Sequence, residues 1–186
     1  MRLAVVGPQE SRWYLAAEGA RGAASPESII EVCRQVGERY GVHVVSLSAG
    51  VVAGFTHLAI AAEHAVRAWD RGARISRYLE VEFLLYIVGS REIRKVLETC
   101  KPRDEALVIA ALGRERRLVE EAVSRVIEHL GLSRESTVLE LTPERALRVA
   151  EALGISPEVV KAADRGDVVR TVMLLAANRA VLLALS

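Results

Sequence analysis

Aromatic side chains are nearly missing from this sequence: Phe, Trp and Tyr together make up 4% of its 186 residues. A core must then be filled by Ala, Val, Leu and Ile. Hydrophobic residues reach 51%, which fits a folded globular chain and argues against disorder. Cysteine is scarce too. Cys33 and Cys100 stand far apart with no C-x-x-C, so they read as buried free thiols, not as a disulfide framework. Lysine occurs only as Lys95, Lys101 and Lys161, and the other basic residues are arginines. A GC-rich genome is the simpler cause, although arginine also favours bidentate contacts to phosphate and carboxylate. Neither sign of charge dominates. A net charge of +1 is not that of a duplex-binding protein, so any nucleic-acid contact must be local or shared with a partner.

Targeting signals are also lacking. Gly7-Pro8 ends the short N-terminal apolar run, which leaves no secretion signal. The longest apolar stretch lies near the C-terminus and is interrupted by Asn178 and Arg179. It falls short of the roughly 20 residues that span a bilayer. The length fits one domain with a sizeable core. A cytoplasmic protein with no membrane segment is expected.

Chemical motifs are missing as well. The sequence holds no H-E-x-x-H, no Walker A motif, no G-x-S-x-G, and no G-x-G-x-x-G after a strand. Its histidines are His43, His57, His64 and His129. His57 and His64, seven apart, share a helix face. A metal site would need further ligands that the sequence does not supply. No metal, no cofactor and no catalytic set are therefore expected, and a binding role is favoured over an enzyme.

What is present begins with punctuation. Ser25-Pro26-Glu27, Thr142-Pro143-Glu144 and Ser156-Pro157-Glu158 repeat one device. The hydroxyl residue caps, proline fits the first helical position, and glutamate complements the dipole. Helices are predicted from these points to about Tyr40, Leu153 and Ala163. Others are predicted over 55–71, 79–88, from Ser90 to near Thr99, over 114–130 and over 167–185. Strands are predicted over 3–6, 13–18, 42–47, 107–112 and 137–141. Gly19 to Gly22 reads as a loop. The fold class is α/β in the α+β sense: a mixed, largely antiparallel sheet of about four to five strands covered by several helices.

The stretch 56–97 carries the most specific pattern. Its tail, Glu80 to Ile93, reads E-x-E-F-L-L-Y-I-V-G-S-R-E-I. This resembles the kinase-binding subunit of the KEOPS complex, the PRPK-binding protein family, in its archaeal form. In that family an acidic residue precedes an apolar helix, and a small-residue break leads into a Gly-x-Arg-Gln-Ile segment. Here Glu92 stands where Gln is usual. The small-residue helix with His57, Ala61, His64, Ala65 and Ala68, the linker Arg74-Ile75-Ser76, and Gly19-Ala20-Arg21-Gly22 also match the family pattern. So does Arg165 to Val169, leading into a terminal helix. The resemblance implies a non-catalytic subunit serving threonylcarbamoyladenosine modification of tRNA. It would bind and stimulate a small atypical kinase, an associated ATPase, and capture the 3′ CCA end of tRNA. A weak overall charge suits a short single strand held by a few arginines.

On that reading the RNA-binding candidates are Arg21, His57, Arg74, Arg91 and Arg94, and the Gly19–Gly22 and Gly89–Arg91 loops with His57 and Arg74 should converge on one groove. Arg91 lies where a helix opens and could help form an anion pocket, or pair with Glu80 or Glu82. Arg71 reads as a cation offsetting a helix C-terminus. The terminal helix is apolar nearly all round, so more than one of its faces should be covered. Leu174, Val181 and Leu185 are the expected kinase-binding residues, with Val172, Leu175, Ala176 and Leu183 facing the domain. The rival expectation is a small-molecule enzyme or ligand-binding domain with a pocket near Arg21, His57 and Arg91.

Overall fold

The computed structural model describes residues 1–102 and 106–185. The chain folds into two compact units, each assembled from two separated stretches. Unit 1 comprises Met1–Ala49 with Lys101–Leu139, and unit 2 comprises Gly50–Cys100 with Glu140–Ser186. Length alone pointed to one domain. No Pro/Gly-rich linker marks the crossings.

Unit 1 holds the sheet. Its strands are β1 (Arg2–Val6), β2 (Trp13–Arg21), β3 (His43–Ser48), β4 (Ala106–Gly113) and the two-residue β5 (Ser133–Arg134). The order is β1-β2-β4-β3, with β5 pairing the end of β2. β4 inserts between β2 and β3, so every pairing among the described residues is antiparallel instead of mixed. Helices α1 (Pro26–Tyr40) and α5 (Arg116–His129) pack with the sheet. Ala16, Ala20, Val44, Leu107, Ile109 and Ala111 from the strands meet Ile29, Val36, Val119, Val123 and Val126 from these helices. The core is aliphatic, as the shortage of aromatics requires. Cys33 is buried in it, and burial pushes its thiol up to about 12.

Two expectations change here. Gly19 and Ala20 are not loop: β2 runs on to Arg21 and pairs with β4 along its length. Gly19 serves close approach. A Cβ there would sit 2.3 Å from the Glu135 carbonyl oxygen and 2.6 Å from the Val138 Cβ. The second change follows from the first. Residues 136–139 form a 3-10 turn where a strand was predicted over 137–141, and pairing has moved back to Ser133–Arg134. The turn sets Val138 over Gly19 and lets the Ser136 hydroxyl donate to Glu18 at 2.9 Å.

Unit 2 is helical: α2 (Phe55–Asp70), α3 (Leu79–Val88), α4 (Ile93–Cys100), α6 (Pro143–Ala152), α7 (Pro157–Ala163) and α8 (Val168–Leu185). All three Ser/Thr-Pro-Glu devices start helices at the proline. Ser25, Thr142 and Ser156 each accept from the amide three residues on, at 3.1, 3.4 and 3.4 Å. α2, α3 and α6 all pack against α8. Ala61, Ala62 and Ala65 are fully buried on α2, which permits close helix packing. α4 begins three residues after Ser90, because the Ser90 hydroxyl closes a turn with the Glu92 amide before the helix opens.

Candidate functional site

The family-like stretch builds the frame of unit 2, and most of its polar residues hold that frame together. His57 sits in the first turn of α2 and is 0% exposed. Its Nδ1 accepts from the Ala53 amide at 3.2 Å, and its Nε2 lies 3.0 Å from the Ile87 carbonyl. Gly54, the N-cap of α2, offers no side chain. The imidazole therefore ties Ala53, just ahead of the helix, to its first turn while satisfying a carbonyl of α3's last turn. Both bonds are made by one neutral tautomer: Nδ1 accepts and Nε2–H donates. Burial holds its pKa down at about 4, although the Ile87 bond works the other way. This overturns the expectation that His57 touches RNA, because its ring is enclosed and both nitrogens are occupied.

The end of α3 is closed by three further contacts. Gly89 takes the left-handed conformation at φ +66, and its amide bonds the Leu85 carbonyl at 2.8 Å. The Ser90 amide bonds the same carbonyl at 3.1 Å. Arg179 of α8 donates from Nε to the Val88 carbonyl at 3.1 Å. A cation at a helix C-terminus is well placed for the dipole. It also explains the charge that interrupts the apolar C-terminal stretch. Gly89 is needed twice over, since a Cβ there would lie 2.5 Å from the Arg179 Cβ.

The start of α3 is held by Glu82, which is fully buried. Its Oε2 accepts from the amides of Ile75 and Ser76 at 2.9 and 2.7 Å, fastening the 71–78 linker to the helix. Its Oε1 has no hydrogen-bond partner. Burial raises its pKa, while those two amides and the Arg91 and Arg74 charges oppose the rise.

Between α2, the 89–92 turn and the end of α8 lies a cleft of about 380 Å³. Arg67, Arg71 and Arg91 line it with His64 and Tyr86, and Leu183, Ala184 and Leu185 form an apolar wall. None of its lining residues is a carboxylate. Arg67 is paired outside the cleft with Glu63, at 2.5 Å. The His64 and Tyr86 rings stack with centroids 5.9 Å apart and planes 20° apart. Burial lowers the pKa of His64; the Arg67 charge acts the same way and Glu63 opposes. Burial raises Tyr86, and the Glu82 charge adds to it. Three guanidiniums, a flat ring pair and an aliphatic wall suit an oxyanion carried on a planar or apolar body. Among the described residues no His/Cys/Asp/Glu group is arranged to hold a metal ion.

The expected RNA-binding residues are thus dispersed. Arg91 lines the cleft. Arg74 lies between Ala73 and Ile75, which do line it, and its guanidinium sits 4.5 Å over the Trp69 ring. Arg94 is exposed on α4. Arg21 belongs to unit 1, exposed and bonded through Nε to Glu135 at 2.5 Å. Sequence reasoning missed His64, Arg67 and Arg71 as cleft residues. Their spacing of three and four places them along one face of α2, which was the available signal.

On α8, Leu174, Val181 and Leu185 are 49%, 37% and 80% exposed. With Asn178 they fall within about 60° of the helix wheel. Val172, Ala176, Ala180 and Leu183 are buried on the opposite side. The helix is also long and apolar enough, by length and composition, to cross a membrane. No protein-family model matches the sequence, and no curated protein matches it.

Proposed function

We propose that the chain is a non-catalytic, cytoplasmic subunit of a KEOPS-type complex that binds the small atypical kinase and takes up the 3′ CCA end of tRNA. The observation that carries this reading is the cleft of unit 2. It offers Arg67, Arg71 and Arg91 beside the half-buried ring of His64, which is backed by buried Tyr86. Guanidiniums with a ring beside them are the chemistry that holds a short single strand by phosphate contact and stacking. The family-like motif supports it, because Tyr86 and Arg91 of the motif both line the cleft. The exposed Leu174, Val181 and Leu185 row supports a protein partner on α8.

The cleft also favours one rival: a site for a small phosphorylated or carboxylated metabolite, with no role for RNA. Its volume lies within the usual range of small-molecule sites. A binding experiment separates the two. Arg91→Glu should weaken tRNA binding at least tenfold, since it removes a phosphate contact and adds a like charge, about 1.4 kcal/mol or more. Removing the terminal CCA from tRNA should produce a similar loss. Unchanged affinity on both counts rejects the RNA reading, and metabolite binding without tRNA affinity installs the rival.

A further inference from the structure

Glu82 is hard to account for as packing alone. It is a carboxylate inside an apolar helix bundle, fully enclosed, with one oxygen spent on the Ile75 and Ser76 amides and the other on nothing. A buried acceptor left without a partner costs stability, so a sequence that only needed the linker fastened would do better with a neutral side chain. Its position offers a reason. Ile75, which it tethers, lines the cleft, and so does Tyr86, one helical turn further along α3. Arg91 lines the cleft and acts on Glu82 by charge, as does Arg74. Glu82 therefore stands directly behind the cleft wall.

We propose that Glu82 is the positioning residue and internal counter-charge of the cleft: it fixes the wall at Ile75 and holds the Arg91 and Arg74 charges, and an oxyanion entering the cleft competes with it for them. The proposal rests on the cleft being the ligand site. The consequence is thermodynamic. An anion beside Glu82 makes its ionised form less favourable, so ligand binding and proton uptake at this carboxylate assist one another. Affinity for an oxyanion should rise as pH falls toward the range in which Glu82 takes its proton. The charges that act on Glu82 are those of Arg91 on the turn and Arg74 on the linker; Tyr86 on the same helix feels Glu82 and Arg91, and His64 of α2 stacks on Tyr86. Among them His64 is the one that also titrates in the acidic range, and it must be removed from the measurement.

The test is calorimetric titration of the full chain with two probes. One is an RNA oligonucleotide ending in CCA. The other is sulfate, which does not itself titrate in this range. Each is measured from pH 7.5 to 5 in buffers of different ionisation heat, in the unaltered chain and in a His64→Gln background, each with and without Glu82→Gln; binding itself is judged on the unaltered chain. The expected result is net proton uptake on binding and an affinity that rises toward the acid end of the range. Glu82→Gln should bind more tightly at pH 7.5 and lose the pH dependence. A purely structural glutamate would weaken binding at every pH and leave the dependence intact, which overturns the proposal. The proton count in the chain that keeps Glu82 decides the matter even if the glutamine variant fails to fold. RNA binding without proton uptake rejects the Glu82 inference and keeps the RNA reading. Sulfate binding with uptake but no RNA binding does the reverse. No binding of either probe rejects both.

Discussion

His57 is the point at which the acid stability of unit 2 should be decided. In the folded protein it is neutral, because its enclosed ring accepts from one backbone amide and donates to one backbone carbonyl. Protonating Nδ1 would put a donor against the Ala53 amide and a charge in the interior. The sign follows directly. The folded ring holds its proton only below about 4, against an ordinary 6.5, so between these values the unfolded chain binds the extra proton. His57 then contributes stability that is fully present above pH 6.5 and is lost as pH falls to about 4. The gap corresponds to about 3 kcal/mol across that window.

The perturbation is His57→Gln, whose amide can both accept and donate but does not titrate. At pH 7.5 it should cost on the order of 1–2 kcal/mol, for imperfect replacement of two hydrogen bonds. His57→Phe should be worse, because it leaves a buried donor and a buried acceptor unmatched at about 1–3 kcal/mol each. Urea unfolding at intervals from pH 7.5 to 4.5 gives the comparison. The wild-type curve should fall faster than that of the glutamine variant, and the two should converge by about 2 kcal/mol before pH 4.5. Nitrogen NMR should show the His57 ring unprotonated at Nδ1 down to about pH 5. Parallel stability curves, or a ring that titrates near 6.5, would refute the enclosed-imidazole account.

Two further outcomes are expected from the packing. Gly19→Val should destabilise unit 1 by about 1–3 kcal/mol, since its side chain must displace a backbone carbonyl and the Val138 side chain; circular dichroism melting checks this, and an unchanged midpoint contradicts it. Leu174→Glu with Val181→Glu should leave folding within about 0.5 kcal/mol, because both side chains are exposed, yet reduce kinase affinity by more than about 1 kcal/mol per site. Undiminished capture of the kinase by the folded double variant removes α8 from the interface.

How much of this was legible in the sequence depends on the range of the interactions involved. The Ser/Thr-Pro-Glu starts were legible because capping is complete within four residues. The two sides of α8 were legible because helical periodicity alone sorts Leu174 from Val172. Gly19 was misread because glycine signals a loop locally, whereas here its constraint comes from Glu135 and Val138, more than a hundred residues away. His57 was misread for the same reason. One of its bonds is local, but Ile87, thirty positions on, is what closes the ring in. Arg71 read as an ordinary cation at a helix end, but with the last turn of α8 it lines a cleft.

The family-like motif therefore divides by what its residues touch. Glu82 binds the linker amides, Gly89 admits Arg179, and Ser90 closes the turn before α4. Gly89 and Ser90 specify how the helices meet, and any protein reusing that frame needs them whatever it binds, whereas Glu82 also stands behind the cleft wall. Arg91 differs, because it opens onto the cleft beside Arg67 and Arg71. Substitutions at Glu82 or Gly89 should thus change stability and binding together. Substitutions at Arg91 or Arg71 should change binding with folding intact, and that separation makes the rim of the cleft the place to look for what this frame has been adapted to hold.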